Sequence, residues 1–178
     1  HINHVKALCD IAASYSGVET FIHAFTDGRD TDPKSGLSFI QEVENHIADK
    51  PVKFASVCGR YYAMDRDKRW ERVKRAYDTL VEGKGQFCKK ASLAVEQSYA
   101  AGITDEFIEP TVLVDESNQP IATILPDDVV ICFNFRTDRC REITEVLTQV
   151  NMPENGMKAM SLYYVTMTNY DDSYTDVK

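Results

Sequence analysis

The chain has 178 residues, of which 43% are hydrophobic and 27% are charged, so it is long enough to bury the core of one soluble domain. Its formal net charge of −8 excludes a generally basic surface of the kind that neutralises nucleic-acid phosphates. No apolar run is long enough to cross a membrane, no signal-peptide pattern is present, and the five cysteines form no CxxC motif. We therefore expect a cytoplasmic protein that has no nucleic-acid or membrane partner, no disulfide framework and no zinc cluster.

The first quarter of the chain alternates between helical and strand-like patterns. Apolar residues recur at helical spacing over residues 2–16, and the β-branched and aromatic segment 18–26 predicts a strand. A polar turn follows the strand. Asp32 before Pro33 is typical of a helix start, so we expect the apolar face over 37–47 to lie on a second helix.

The middle of the chain repeats this alternation. Residues 52–58 predict the second strand. Asp67 is placed to cap a helix whose apolar face runs over 70–80 and whose end is marked by Gly83. A further short helix is expected over 91–101.

The last third of the chain is richer in strands. Two short strands, 111–114 and 121–125, flank the turn 117–120 and predict a hairpin. Residues 129–135 predict a third long buried strand, which leads through a polar segment into a helix, and 161–168 predict the last strand.

The long strands are almost continuously apolar, which is typical of strands that are covered on both faces. We therefore predict a layered α/β/α domain with a largely parallel, mixed central sheet and a small β-hairpin excursion. No linker or internal repeat divides the sequence, so residues 1–178 are expected to form a single domain.

Arginine placement is the most informative feature of the sequence. Five of the nine arginines lie in segments that directly follow a predicted core strand: Arg29, Arg60, Arg66, Arg136 and Arg139. Ligand sites of open α/β sheets form outside the carboxyl ends of the strands, so we expect these strand-end arginines to converge on one crevice. Guanidinium groups match phosphate and carboxylate oxygens, so the crevice would suit a small phosphorylated acid.

Two alternatives remain open on the residues alone. In one, the chain is a structural or interaction domain whose arginines only form salt bridges with nearby aspartates, namely Asp27, Asp30, Asp65, Asp67 and Asp138. In the other, the chain is a stand-alone small-anion-binding module without catalytic activity. The helically spaced Arg69, Arg72 and Arg75 are interpreted as a solvated face.

Asp30, the histidines and two cysteines are the other side chains that could take part in chemistry. Asp30 could serve as acid or base towards a bound hydroxyl, or simply as a turn carboxylate. His23 lies in an apolar strand and is interpreted as a satisfied core residue, whereas His1 and His4, one helical turn apart, could face a ligand. Cys58 and Cys132 are expected to be buried, inert thiols.

Three segments around the strand-end arginines carry long motifs: HAFTDGRD at 23–30, CGRYYAMDRDKRW at 58–70 and FNFRTDR at 133–139. They resemble segments of the cofactor-independent (2,3-bisphosphoglycerate-independent) phosphoglycerate mutases. Residues 105–108 and 167–171 look like further family stretches, and the resemblance covers essentially the whole chain.

This resemblance implies an isomerase of glycolysis and gluconeogenesis that has two domains. One domain belongs to the alkaline phosphatase superfamily and carries a nucleophilic serine with two divalent metal ions, expected to be manganese. The other is inserted into it and binds the glycerate moiety. The chain resembles only the inserted, substrate-binding domain, so we expect it to be part of a longer polypeptide, to bind no cofactor itself and to be inactive in isolation.

The family roles carry over to the strand-end arginines. Arg29 and Asp30 match a substrate-binding pair, and Asp30 also matches the catalytic acid or base at the glycerate hydroxyl. The remaining substrate-binding matches are Arg60, Arg66, Arg136 and Arg139. The implied reaction interconverts 3-phosphoglycerate and 2-phosphoglycerate through a phosphoserine on the phosphatase-like domain, which is the implied partner of this chain.

Overall fold

The structure is a computed structural model that describes residues 2–178, so the prediction made for His1 lies outside the described residues. The helices are α1 (Ile2–Ala13), α2 (Gly36–His46), α3 (Arg60–Ala63), α4 (Trp70–Tyr77), α5 (Ala91–Ala100) and α6 (Arg141–Thr148). The strands are β1 (Thr20–Thr26), β2 (Val52–Gly59), β3 (Gln86–Cys88), β4 (Thr111–Leu113), β5 (Val129–Cys132) and β6 (Tyr163–Thr166). No helix among these residues combines the length and the apolar composition needed to span a membrane.

The central sheet has four strands in the order β1-β2-β4-β3. β1 and β2 are parallel, β3 and β4 are parallel, and the β2–β4 pair in the middle is antiparallel. All residues of β2 except Lys53 are buried, as expected for a strand that is covered on both faces. The prediction of an α/β fold with a largely parallel, mixed sheet is confirmed.

Successive residues of β2 face two different hydrophobic cores. Val57 belongs to a cluster formed with α1, α2 and α5, whereas Cys58 belongs to a cluster formed with α4, α6 and β6. Because side chains alternate across a strand, β2 separates the two cores and holds one layer of helices on each side. This arrangement also fixes the carboxyl end of β2 between the two layers.

β4 differs from the predicted hairpin. All three residues of β4 are buried, and the strand pairs with both β2 and β3 and forms no ladder with residues 121–125. The hairpin is reduced to a single bridge between Val114 and Pro120. The short separation of the two segments favoured a hairpin. The apolar side chains of β4, however, bury more surface in the middle of the sheet than they would in an exposed hairpin.

β5 and β6 form a separate two-stranded parallel sheet and do not join the central one. The prediction of a long buried strand over 129–135 was wrong, because Val129 and Ile131 are 66% and 47% exposed. The strand ends early at Cys132. Two residues later the Asn134 side chain accepts a hydrogen bond from Arg136 N, and Tyr170 OH donates to the Asn134 carbonyl, so these groups are taken out of the ladder.

The start of α4 also differs from the prediction. Asp67 does not cap the helix, because Arg69 is at the N-cap position and no side chain caps α4. Asp65 instead orders the segment before the helix, since its Oδ2 accepts hydrogen bonds from the N–H groups of Asp67 and Arg69, each at 3.0 Å. The helix continues into a π-helical turn, Asp78–Glu82, and ends at Gly83, which has a φ of 61° in the left-handed region. The predicted end of this helix is therefore confirmed.

Candidate functional site

The strand-end arginines lie in loops that follow β1, β2 and β5. β1 and β2 are parallel neighbours. The turn 27–30 and the start of α3 therefore lie next to each other at the same edge of the sheet. Gly59 at the end of β2 allows this, because a Cβ there would lie 2.4 Å from the Glu106 carbonyl oxygen. The third loop, residues 133–139 between β5 and α6, carries Arg136 and Arg139, and we call it the arginine loop.

Asp27 organises the turn after β1. Its Oδ1 accepts hydrogen bonds from the N–H groups of Arg29 and Asp30, both at 3.0 Å, and from Arg60 Nη1 at 2.5 Å. Burial alone would raise the pKa of Asp27, but these hydrogen bonds and the charge of Arg60 hold it below its usual value. The ionised Asp27 thus fixes both the turn and the Arg60 guanidinium.

Asp30 joins two of the loops. Its Oδ2 lies 3.0 Å from Nη1 of Arg60 and 2.7 Å from Nη1 of Arg136. The hydrogen bond and the charge of Arg60 lower the pKa of Asp30, so this carboxylate is ionised at neutral pH. One carboxylate oxygen therefore holds guanidinium groups that come from the ends of β2 and β5.

Asp138 makes a second link between loops. Its Oδ2 lies 2.8 Å from Nη1 of Arg66, and its Oδ1 lies 3.5 Å from Nε of Arg136. Arg139 stands among these groups. Burial and the positive charges of Arg60, Arg66 and Arg136 lower the pKa of Arg139. The Arg139 guanidinium therefore lies close enough to the other three to be repelled by them.

Two of these arginines have buried donors without a partner among the described residues. They are Nη2 of Arg60, whose side chain is 3% exposed, and Nε of Arg139. A buried donor that forms no hydrogen bond costs about 1–3 kcal/mol, so such groups normally mark a missing acceptor.

Arg29 is placed differently from the other strand-end arginines. Its side chain is 62% exposed, and its contact is a 3.5 Å ion pair with Glu106 at the rim of the site. The structure therefore brings together Asp30, Arg60, Arg66, Arg136 and Arg139, and leaves Arg29 at the edge. The salt-bridge alternative accounts for several contacts of these arginines, but not for the two unpartnered donors.

Comparison with known proteins identifies the family. The sequence model of the BPG-independent PGAM N-terminus (iPGM_N) matches residues 1–172. The chain belongs to this family. The resemblance noted from the arginine motifs is thereby confirmed, and this chain is an N-terminal domain of BPG-independent phosphoglycerate mutases.

Individual relatives agree with this assignment. The chain is 57% identical over 178 residues to the 2,3-bisphosphoglycerate-independent phosphoglycerate mutase of Flavobacterium psychrophilum, and covers 100% of itself but 35% of that relative. It is 46% identical over 179 residues to the enzyme of the same name from Clostridium novyi, again covering 35% of the relative. It thus spans about a third of the length of these curated relatives, which are isomerases.

A crystal structure of Leishmania mexicana phosphoglycerate mutase has the same fold as this chain. The TM-score is 0.87 at 29% sequence identity, and the match covers 96% of this chain and 33% of that one. The fold of the BPG-independent PGAM N-terminus is therefore shared over almost the whole of this domain.

Sequence reasoning missed Asp105 as part of the site's support in this family member. The residue is 1% exposed; its Oδ2 accepts a hydrogen bond from Gly36 N at 2.7 Å, and Tyr99 OH donates to its Oδ1. Its backbone carbonyl also accepts a hydrogen bond from Thr26 Oγ1 at 2.7 Å. Asp105 thus ties the end of β1 to the start of α2. No periodicity or spacing pointed to it, because its contacts with Thr26 and Gly36 are distant in sequence.

The predicted solvated arginine face on α4 was wrong for Arg72, whereas Arg69 and Arg75 are exposed. The Arg72 guanidinium lies 3.9 Å from the centre of the Tyr61 ring and 3.6 Å from Asp65, and its side chain is 21% exposed. Arg75 lies over the Tyr62 ring at 4.6 Å and pairs with Glu109. These cation–π contacts hold the two tyrosines that follow Arg60 in α3.

Histidines and acidic residues offer little for metal binding. Within residues 2–178, no three His, Cys, Asp or Glu side chains are grouped to hold a metal ion. Nδ1 of His23 lies 2.8 Å from Ser56 Oγ, and burial lowers the pKa of His23 to about 4. His23 is therefore a neutral, hydrogen-bonded residue of the sheet, as predicted.

Proposed function

We propose that this domain binds the glycerate part of the substrate in a mutase that interconverts 3-phosphoglycerate and 2-phosphoglycerate. The observation that carries the proposal is the pair of buried, unpartnered donors, Arg60 Nη2 and Arg139 Nε, inside a cluster of converging guanidinium groups. A phosphorylated acid brings carboxylate and phosphate oxygens, which are the acceptors that such donors favour. Membership of the family makes this substrate class the natural one to test.

The arginines differ in burial, and we assign them different roles in ligand binding on that basis. Arg60 is held rigidly by Asp27 and Asp30 before any ligand arrives, so little side-chain entropy is lost when it binds an anion. Arg66 and Arg136 are 49% and 45% exposed and can swing onto the ligand. We assign Arg60 and Arg139 to the base of the site, and Arg66 and Arg136 to its walls, with Arg29 at the rim.

Asp30 is assigned the proton transfer at the glycerate hydroxyl. In the structure it is a weak base, because Arg60 stabilises its ionised form. A bound anion that takes hydrogen bonds from Arg60 and Arg136 would remove this stabilisation. The pKa of Asp30 would then rise towards the range in which a carboxylate exchanges protons efficiently.

Phosphoryl chemistry is assigned to the rest of the polypeptide. The family resemblance implies a serine that takes up the phosphoryl group and two divalent ions, expected to be manganese, on a phosphatase-like domain. The described residues gather no set of metal ligands, so this domain's part is to bind, orient and exchange a proton. Retention of glycerate between the two half-reactions matters, because its escape would leave a phosphoenzyme that water hydrolyses.

Titration of the chain with 3-phosphoglycerate tests the proposal. We expect Arg60→Ala to weaken binding at least about tenfold, the effect of losing one charge-assisted hydrogen-bond pair. Arg69→Ala is the matched control, since it removes the same charge from an exposed residue at the start of α4, and it should bind like the unsubstituted chain. Equal affinities of the two variants would overturn the proposal, as would full mutase activity of Arg60→Ala in the full-length protein.

A further inference from the structure

Two cysteines stand at the two ends of the arginine loop. Cys132 is the last residue of β5, and Cys140 directly precedes α6. Both thiols contact the same pair of residues: Cys132 Sγ lies 3.4 Å from Tyr170 OH, which donates to the Asn134 carbonyl, and Asn134 Nδ2 donates to Cys140 Sγ. The loop that carries Arg136 and Arg139 therefore starts and ends at two neighbouring thiols. None of the described cysteines is in a disulfide.

The surroundings make the two thiols unequal. Cys140 is 1% exposed and accepts a hydrogen bond from Asn134 Nδ2 at 3.3 Å. Cys132 is partly exposed, and its Sγ lies 3.4 Å from Tyr170 OH. The hydrogen bond from Cys140, helped by that from Tyr170, lowers the pKa of Cys132 to about 6, whereas the interaction with Cys132 raises the pKa of Cys140.

Cys132 was predicted to be buried, but the structure leaves it partly exposed. A partly exposed thiolate beside a buried thiol is the arrangement of a nucleophilic cysteine with its resolving partner. Burial instead raises the pKa of Cys9 and Cys58, so these two thiols stay protonated and unreactive.

We propose that Cys132 and Cys140 form a peroxide-sensitive dithiol whose oxidation to a disulfide cross-links the two ends of the arginine loop. The Cys132 thiolate attacks one oxygen of hydrogen peroxide; an S–O bond forms, the O–O bond breaks and hydroxide leaves. That hydroxide takes the proton of Cys140, whose sulfur then attacks the sulfenic acid on Cys132; the S–S bond forms and the S–O bond breaks. The two thiols are oxidised by two electrons, and peroxide is reduced to two molecules of water once the released hydroxide is protonated.

Formation of the bond changes the loop. A disulfide joins its sulfurs at about 2.05 Å, much closer than hydrogen-bonded sulfurs, so Cys132 and Cys140 must give up part of their contacts with Tyr170 and Asn134. The ring so formed restricts opening of residues 133–139. We expect slower amide hydrogen exchange in these residues after oxidation, which is measured without reference to any ligand.

Peptide mapping of the chain after treatment with hydrogen peroxide tests the proposal. We expect the loss of two alkylatable thiols and of the mass of two hydrogens, one peptide linked through Cys132 and Cys140, and full reversal by dithiothreitol. Cys140→Ser should accumulate a sulfenic acid on Cys132 that dimedone traps, and Cys132→Ser should consume peroxide at least about tenfold more slowly. Cys9→Ser, a buried thiol far along the chain, should still form the disulfide.

Alkylation of the unsubstituted chain by iodoacetamide gives a second measurement that needs no variant. Cys132 should react first, with a rate that rises with pH around a midpoint of about 6. The proposal is overturned if no Cys132–Cys140 peptide forms, or if another cysteine is alkylated first. Neither result bears on substrate binding, so failure here and failure of the proposed function are distinguishable.

Discussion

At the level of single residues, Asp30 both contributes a negative charge to the site and holds two of its arginines in place. Its carboxylate shares one oxygen between Arg60 and Arg136, and so keeps two cations close together that would otherwise repel each other. A ligand that binds these arginines must compete with Asp30. Asp30 therefore competes with the anion for the two arginines. By our assignment it is also the group that exchanges a proton with the glycerate hydroxyl.

Asp30→Asn separates these two roles. We expect the affinity for 3-phosphoglycerate to be unchanged or tighter, because the competing negative charge is gone. Mutase turnover of the full-length protein should fall about 10²–10⁴-fold, the usual contribution of a general acid or base. Binding is read by titration and turnover by steady-state kinetics. A variant with near-normal turnover would show that Asp30 is only a turn carboxylate.

Glu142 is a second residue with unusual electrostatics. It is 5% exposed, its Oε1 accepts a hydrogen bond from Lys68 N at 2.8 Å, and its Oε2 has no partner among the described residues. Burial, followed by the nearby negative charge of Asp65, raises the pKa of Glu142 to about 7. The protonated residue joins the segment after α3 to the start of α6, and thus two of the arginine-bearing regions.

The pH dependence of stability follows from this shift. The native state keeps the Glu142 proton to higher pH than the unfolded chain does, so its contribution to stability is full at low pH and is lost as the pH rises towards and through 7. Glu142→Gln should therefore raise the free energy of unfolding at pH 8 by about 1–3 kcal/mol and change it little at pH 5. Urea unfolding at both values measures this. The exposed Glu96→Gln of α5 is the control; an equal response of the two variants would contradict the expectation.

At the scale of elements, loops that are distant in sequence are held by short polar clamps. Asp105 is the main one, because it binds Gly36 N and Tyr99 OH and lies against the turn after β1. This turn contains Asp27, Arg29 and Asp30. The position of these residues therefore depends on a segment that comes much later in the chain.

Asp105→Ala removes this clamp. It leaves Gly36 N and Tyr99 OH without their acceptor, so we expect a loss of about 2–4 kcal/mol in the free energy of unfolding, together with weaker binding of 3-phosphoglycerate. Tyr99→Phe is the matched control, since it keeps the Asp105 carboxylate on Gly36 N and removes only the hydroxyl that donates to Asp105 and accepts from Leu37 N; it should cost about 1–2 kcal/mol. Thermal or urea unfolding and ligand titration give the two readouts. Unchanged binding in a folded Asp105→Ala variant would show that the turn does not need the clamp.

At the scale of the whole molecule, an acidic chain concentrates positive charge at one place. The net charge is −8, yet arginines from three loops meet at the ends of β1, β2 and β5. The layered fold makes this possible, since strand ends from the central sheet and from the β5–β6 sheet open towards the same region. We propose that this region attracts a small anion, whereas the net negative surface repels larger polyanions.

The 178-residue chain should accordingly bind its ligand but not transform it. We expect titration with 3-phosphoglycerate to give measurable binding, and a coupled assay for 2-phosphoglycerate to give no signal above the buffer. The physical reason is that no described residue is assigned to take up the phosphoryl group. The full-length protein, assayed in parallel, is the positive control. Interconversion by the 178-residue chain alone would contradict the division of labour between the domains.

Local patterns in the sequence were sufficient to predict the alternation of helices and strands, the largely parallel sheet and the arginines placed after strand ends. These features depend on local periodicity and on turn residues, which act over a few positions. Only contacts made in the folded chain place β4 inside the sheet, leave β5 and β6 as a separate and partly exposed sheet, and hold the segment before α4 on Asp65. They also bring Asp105 to the turn after β1 and Cys132 to Cys140. Each depends on contacts between segments far apart in sequence or on the exposure left after packing, and a one-dimensional pattern contains neither.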